Sequence, residues 1–184
     1  MRFITAYQES WPTKFKAIVE HLTQYVPVTC KFHHIGSTAV PGMSAKDIID
    51  MDIECSLGSM PQIVRMLADA GYAHEGNKGI ATREAFCPIM RTKAAELPAH
   101  HLYACECDSP ELRKHIAYRD YLILHPERAE WLANEKRIAD SIAGSKVEYI
   151  NNKSAAYQIV MAESLQWADA NSPSDRPAPP VGGD

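Results

Sequence analysis

Asp50 and Asp52 follow the turn Gly36-Ser37-Thr38 along one segment, HIGSTAVPGMSAKDIIDMDIE, residues 34–54. In an extended chain, residues two apart point to the same side, so the two carboxylates share a face. Like charges held that close repel and raise a carboxyl pKa unless a cation lies between them. Hard oxygen donors at this separation suit Mg²⁺, which keeps several waters and completes its shell from substrate phosphates. Gly36 lets a ligand approach the backbone closely. The N–H groups and hydroxyls of Ser37 and Thr38, at the start of an expected helix, can hold phosphate oxygens. A phosphate cradle facing an acidic pair is the arrangement for metal-assisted phosphoryl or nucleotidyl transfer.

The surrounding pattern must place these groups. Residues 28–35, VTCKFHHI, and residues 46–55, KDIIDMDIEC, read as strands on either side of the turn. In the second, Ile49, Met51 and Ile53 alternate with Asp50, Asp52 and Glu54, a period of two. Ahead of them, Trp11, Phe15, Ile18, Leu22 and Tyr25 form a helical apolar stripe, with Ser10 as its expected cap and Pro12 in its first turn. Ser59-Met60-Pro61-Gln62 reads as a capping box before a second helix, which Gly71 ends. Residues 72–90 read as one or two strands and residues 99–107 as another. Three helices follow, opened by Ser109-Pro110, by Pro126 and near Lys146.

The predicted fold is α+β: a mixed sheet flanked by helices, then a C-terminal helical segment. Residues 1–170 form a single domain, with a sheet part over about 1–108 and a helical part over about 109–170. Residues 171–184, rich in Pro, Gly and Ser, read as a disordered tail.

Composition narrows the class. The chain has 184 residues, 46% of them hydrophobic, and a net charge of -4. That balance argues against a nucleic-acid partner, whose backbone needs dense basic charge. No apolar run is long enough to span a bilayer, and five scattered Cys read as reduced thiols, so a cytoplasmic location is expected. Cys105-x-Cys107 beside His100 and His101 is a poor match to the Cys spacing of structural zinc.

The segment HIGSTAVPGMSAKDIID resembles the signature of the GrpB family, a branch of the polymerase-β-like nucleotidyltransferase superfamily. The resemblance extends to Tyr7 and Trp11-Pro12, to Gly79-Ile80 with Arg83, and to His100-His101-Leu102. It continues through Tyr118-Arg119-Asp120-Tyr121-Leu122, Pro126, Lys136, Tyr149 and Lys153. It implies a nucleotidyltransferase fold and a Mg²⁺-dependent protein that binds ATP or another nucleoside triphosphate. The nucleotidyl group would pass to a small-molecule or protein acceptor, or activate a carboxylate for ligation. The superfamily pattern has a third acid on a later strand, where this chain has His101, Tyr103 and Cys105.

On that resemblance, Asp50, Asp52 and His101 are the expected catalytic residues. Asp50 and Asp52 are the expected ligands of Mg²⁺, with a two-ion site as the fuller form. Gly36, Ser37, Thr38, Lys46, Arg83, Arg119 and Lys153 are the expected phosphate contacts. Arg91 and Lys136 are further cations, and Arg119 and Lys153 rank first because the resemblance falls on them. The missing third acid supports an alternative: a non-catalytic module that binds a nucleotide or a partner protein.

Overall fold

The structure is a computed structural model that describes residues 3–171. A five-stranded mixed sheet is built from β1 (Lys31–Ile35), β2 (Ile49–Cys55), β3 (Tyr72–His74), β4 (Arg83–Pro88) and β5 (His100–Glu106). Their order is β1-β2-β5-β4-β3. β2 and β5 run parallel and the other neighbours are antiparallel. The expected tail falls on residues 172–184, outside the described residues.

Two helices, α1 (Trp11–Leu22) and α2 (Met60–Asp69), cover one face. The alternation in β2 explains this. Ile49, Met51 and Ile53 are fully buried in a cluster with Trp11, Ile18, Leu22, Ile63, Leu67 and Leu102. Each such side chain contributes about 1.5–3 kcal/mol by leaving water. Ser10 and Ser59 sit at the helix starts, but neither side chain caps its helix. Ser59 instead donates its hydroxyl to Ser56 O at 2.6 Å. Gly71, at φ +93°, turns the chain out of α2 into β3. A short α3 (Lys93–Glu96) precedes β5.

The acidic side of β2 does not face solvent as an exposed alternating strand would. It is roofed by α4 (Pro110–Leu124), α5 (Pro126–Ile142) and α6 (Lys146–Ala170). Pro110 and Pro126 open two of these helices, where a missing N–H costs nothing. Ser109 and Ser145 cap α4 and α6 by accepting from Leu112 N and Glu148 N. Val40 and Met43, in the loop after the Gly36 turn, pack with Tyr118, Leu122, Leu132, Val160 and Met161. That second core fixes the helical roof against the turn. No helix among the described residues is long and apolar enough to cross a membrane.

Candidate functional site

The site lies between the acidic face of the sheet and the roof. The turn after β1 is a single 3-10 turn, Ser37–Ala39, and not the opening of a longer helix. A macrodipole therefore contributes little, and any phosphate contact here comes from local amides and hydroxyls. Gly36 adopts φ +67° and ψ -166°, a region open essentially to glycine alone. A Cβ there would stand 2.7 Å from Asp50 Oδ2. Glycine thus lets the turn close onto the first aspartate. The turn is held from behind: His34 Nε2 and Thr38 Oγ1 are 2.9 Å apart, and His34 stacks on Phe15 of α1. Burial pushes the His34 imidazole down to about 4, so it is neutral at pH 7.

Asp50 and Asp52 do share a face, and each has an imidazole partner. His101, the register neighbour of Asp50 on β5, places Nδ1 2.7 Å from Asp50 Oδ1. His115 of α4 places Nδ1 2.7 Å from Asp52 Oδ2, and its Nε2 lies 3.3 Å from Glu111 Oε1. Asp50 opens onto the cavity, whereas Asp52 is fully buried. The other oxygen of Asp52, Oδ1, is buried with no hydrogen-bond partner.

A cavity of about 200 Å³ is lined by Gly36, Ser37, Asp50, Arg83, Tyr103, His115 and, from the roof, Tyr118, Leu132, Lys136, Lys153, Tyr157 and Met161. A second, of about 80 Å³, shares Ser37, Asp50, Lys136 and Lys153 and adds Thr38, Lys46, His101 and Tyr149. Lys136 is 4% exposed and donates from Nζ to Ser37 Oγ at 2.7 Å. Desolvation, with Lys153 and Lys46 nearby, lowers its ammonium to about 7, against the pull of Asp50. Burial lowers Lys153 as well, and burial with Lys153 and Lys146 lowers Lys46. Lys46 and Lys153 both lie against the Tyr149 ring, at 5.3 and 5.4 Å from its centroid. Three lysines converge where Asp50 is the one carboxylate lining either cavity. An anion is the ligand such a site favours.

Of the residues singled out in the sequence, Gly36, Ser37, Thr38, Lys46, Asp50, His101 and Lys153 surround these two cavities. Asp52 lies behind the wall. Arg83 stands on the far wall, on β4, with its guanidinium 4.2 Å over the Tyr103 ring. Arg119 is not brought to the site. Its Nε donates to Asp120 Oδ1 at 2.7 Å and its NH1 to His34 O at 3.2 Å, which ties α4 to β1. His115 was not among the residues singled out in the sequence, and Lys136 stood there only as a further cation. Both carried a readable signal. Lys136 falls on the buried stripe Ala129, Leu132, Ala133, Ala139 of α5, and His115 falls between Leu112 and Tyr118 on that of α4. A charged or titratable residue in a helical core stripe needs a buried partner.

Does the donor set fit Mg²⁺? The orphaned Asp52 Oδ1 is a buried carboxylate oxygen without a partner, and such atoms call for a cation or a water. Asp50 adds a second hard oxygen donor on the same face. No third acid joins them: the register neighbours on β5 are His101 and Tyr103. Among the described residues no group of three or more His, Cys, Asp or Glu side chains has metal-holding geometry. The pair therefore fits an ion that arrives with phosphates and waters, and does not form a protein cage for a resident one.

The profile of the GrpB protein family matches residues 3–163. The chain belongs to the GrpB family. The UPF0157 protein YqkA of Bacillus subtilis is 33% identical over 167 residues, covering 89% of this chain and 47% of that protein. The chain thus spans about half the length of that relative. The glutamate-rich protein GrpB of Alkalihalophilus pseudofirmus is 26% identical over 82% of this chain and 88% of its own length. The crystal structure of GrpB from Enterococcus faecalis is 27% identical and covers 90% of this chain and 98% of that one, with a TM-score of 0.75. That crystal structure has the same fold as 90% of this chain. Structures of the Cid1 poly(U) polymerase also match, at TM-scores of 0.49 and below.

Proposed function

We propose that this GrpB-family chain is a nucleotidyltransferase that binds the triphosphate of ATP, or of another nucleoside triphosphate, and transfers the nucleotidyl group to an acceptor. The observation that carries this reading is the closure of the Gly36-Ser37 turn on Asp50 beneath Lys136 and Lys153. The glycine conformation brings backbone amides, a hydroxyl and a carboxylate to one wall, and the lysines supply charge from the other.

In this reading Ser37 and the turn amides receive phosphate oxygens, and Lys46, Lys136 and Lys153 balance the phosphate charge. Asp50 and Asp52 would hold Mg²⁺, which neutralises charge on the phosphates when bound. An acceptor nucleophile attacks the α-phosphorus, the bond to the bridging oxygen breaks, and pyrophosphate leaves with that electron pair. His101, oriented by Asp50 through Nδ1, takes the proton that the acceptor releases.

Pyrophosphate release with ATP and Mg²⁺, measured across a panel of acceptors, tests the reaction. Asp50→Asn is expected to abolish release while keeping the melting temperature. Full turnover in that variant would falsify the role given to Asp50.

The register of β5 favours one second reading. With His101 and Tyr103 where the superfamily pattern has an acid, the same cavity serves a non-catalytic nucleotide-binding module. Tight, Mg²⁺-dependent ATP binding by calorimetry with no pyrophosphate release over the whole panel selects it.

A further inference from the structure

The larger cavity has a second cation, Arg83, to which the nucleotidyl-transfer reading gives no role. Across the sheet the strands run β1, β2, β5, β4. The Gly36-Ser37 turn stands at the end of β1, the aspartates on β2, Tyr103 on β5 and Arg83 on β4. Arg83 is thus separated from the lysine-lined turn by the aspartate strand and by Tyr103. Adjacent strands lie about 4.8 Å apart, so β4, which carries Arg83, stands two strand spacings from β2, on which the turn closes.

Arg83 is held ready for a ligand. Its guanidinium lies over the Tyr103 ring, 4.2 Å from Cζ to centroid. Its Nε is buried and has no hydrogen-bond partner. Arg113, Arg119 and Arg128 are each paired with a carboxylate, to Asp169, Asp120 and Glu163, whereas, among the described residues, Arg65, Arg91 and Arg137 are not and line neither cavity. Among the described residues Arg83 has no such partner. A planar fork held over an aromatic ring is already ordered, so an anion reaching it gains two charge-assisted hydrogen bonds at little entropic cost. An orphaned buried N–H adds to that preference, since a ligand oxygen relieves it.

The surroundings select the anion. Burial first, then Asp50 with smaller shares from Asp52 and Glu75, pushes the Tyr103 hydroxyl up, and Arg83 is the opposing charge. One guanidinium in that field suits a monoanion better than a phosphate dianion. Beside His115, the remaining wall is apolar and aromatic: Ile35, Tyr118, Leu132, Tyr157 and Met161. At about 200 Å³ the space is smaller than the pockets that hold drug-sized ligands.

We propose that Arg83, over the Tyr103 ring, is the subsite for the carboxylate of the acceptor, so that the acceptor is a small carboxylic acid with an apolar or aromatic body and a separate hydroxyl or amine, which attacks the α-phosphorus and yields its proton to His101. This rests on the nucleotidyl-transfer reading, with the triphosphate on the lysine wall, the acceptor on the arginine wall and Asp50 between them.

Calorimetry on the full chain tests both layers separately. Each preparation is titrated with ATP and Mg²⁺. It is then titrated with a panel of short aliphatic and aryl-alkyl carboxylic acids, their primary amides and phenyl phosphate. The wild type is expected to bind at least one acid and to reject its amide. Arg83→Met is expected to weaken that acid about ten-fold or more, with ATP affinity unchanged within about two-fold. Arg83→Lys, which keeps the charge and loses the fork, is expected to fall between them. It also guards against a folding defect in the methionine variant. Three results overturn the subsite: acid and amide binding alike, phenyl phosphate binding more tightly than any acid, or no acid binding that depends on Arg83. Equal loss of ATP affinity in Arg83→Met also overturns it, by moving Arg83 to the triphosphate. Acid binding without ATP binding keeps the carboxylate subsite and removes the nucleotide reading. ATP binding without Arg83-dependent acid binding does the reverse.

Discussion

His115 Nδ1 stands 2.7 Å from Asp52 Oδ2, joining the helical roof to the centre of the sheet across 63 positions of sequence. Asp52 is fully buried, and its other oxygen already lacks a partner. His115 is thus the hydrogen-bond partner that makes this carboxylate tolerable in the interior. Removing that partner leaves a buried carboxylate oxygen unsatisfied and costs about 3 kcal/mol. His115→Ala is expected to lower the melting temperature by roughly 10 °C. His115→Asn, whose amide can stand in for Nδ1–H, is expected to recover part of it. Thermal melts of the three proteins check this, and an unchanged melting temperature in His115→Ala rules it out.

Lys136 links stability and binding to pH. Its folded-state value is about 7, against 10.5 for the free side chain, with burial the main cause. Between those values the unfolded chain holds more protons than the native one. Stability therefore rises as pH climbs from about 7 towards 10. Lys136→Met is expected to remove that rise and to be the more stable protein at pH 7. Ligand binding has the opposite sign, because a bound phosphate favours the ammonium. Nucleotide binding then takes up a proton at Lys136, and ATP affinity falls as pH rises through about 7. Denaturant midpoints and ATP titrations over pH 6–9, read as the difference between wild type and Lys136→Met, cancel the histidines and thiols common to both. Parallel pH profiles for the two proteins defeat the prediction.

The same two residues mark what a sequence reader can and cannot see. The strand carrying Asp50 and Asp52 was legible because alternation and the preceding Gly-Ser turn are local. The helices α4 and α5 were legible from their Ser-Pro and Pro starts, and α6 only as a helical run from about Lys146. The roof over the acidic face was not, because alternation reads as a half-exposed strand whether or not something later packs on it. Lys136 meets Ser37 across 99 positions, a pairing that no local pattern encodes. The family resemblance ranked Arg119 above it, and the fold spends Arg119 on Asp120 and a backbone carbonyl.

Gly36 offers a test of coupling between the turn and the first aspartate. An alanine there meets two penalties: a backbone conformation essentially reserved for glycine, and a Cβ 2.7 Å from Asp50 Oδ2. The first costs about 1–3 kcal/mol. The second displaces the Asp50 carboxylate from His101 and from the cavity. Gly36→Ala is expected to lose ATP affinity together with stability. In an Asp50→Ala background the oxygen contact is gone and only the 3.1 Å approach to the Cβ at position 50 and the backbone penalty remain, so the same change should cost less. A double-mutant cycle by denaturant unfolding measures the difference, expected at about 1 kcal/mol. Strict additivity of the two substitutions means that the turn and the carboxylate are not in contact.

Arg119 and Lys153 divide by what each touches. Lys153 lines both cavities, beside Lys136 and Asp50, and burial already disfavours its charged form. A phosphate oxygen there relieves that penalty, and a hydrogen bond to a charged group contributes about 1.5–3 kcal/mol. Lys153→Gln is therefore expected to weaken ATP about ten-fold or more at low salt. Arg119 lines neither cavity and is half-buried between Asp120 and His34 O. Its loss leaves that carbonyl without a charged donor and loosens α4 from β1, so Arg119→Gln is expected to cost about 1 kcal/mol of stability. Its ATP affinity should stay within about two-fold of wild type. Parallel calorimetry and unfolding curves separate the two variants. If Arg119→Gln lost ATP as Lys153→Gln does, the phosphate site would extend along α4, beyond the cavities at Ser37.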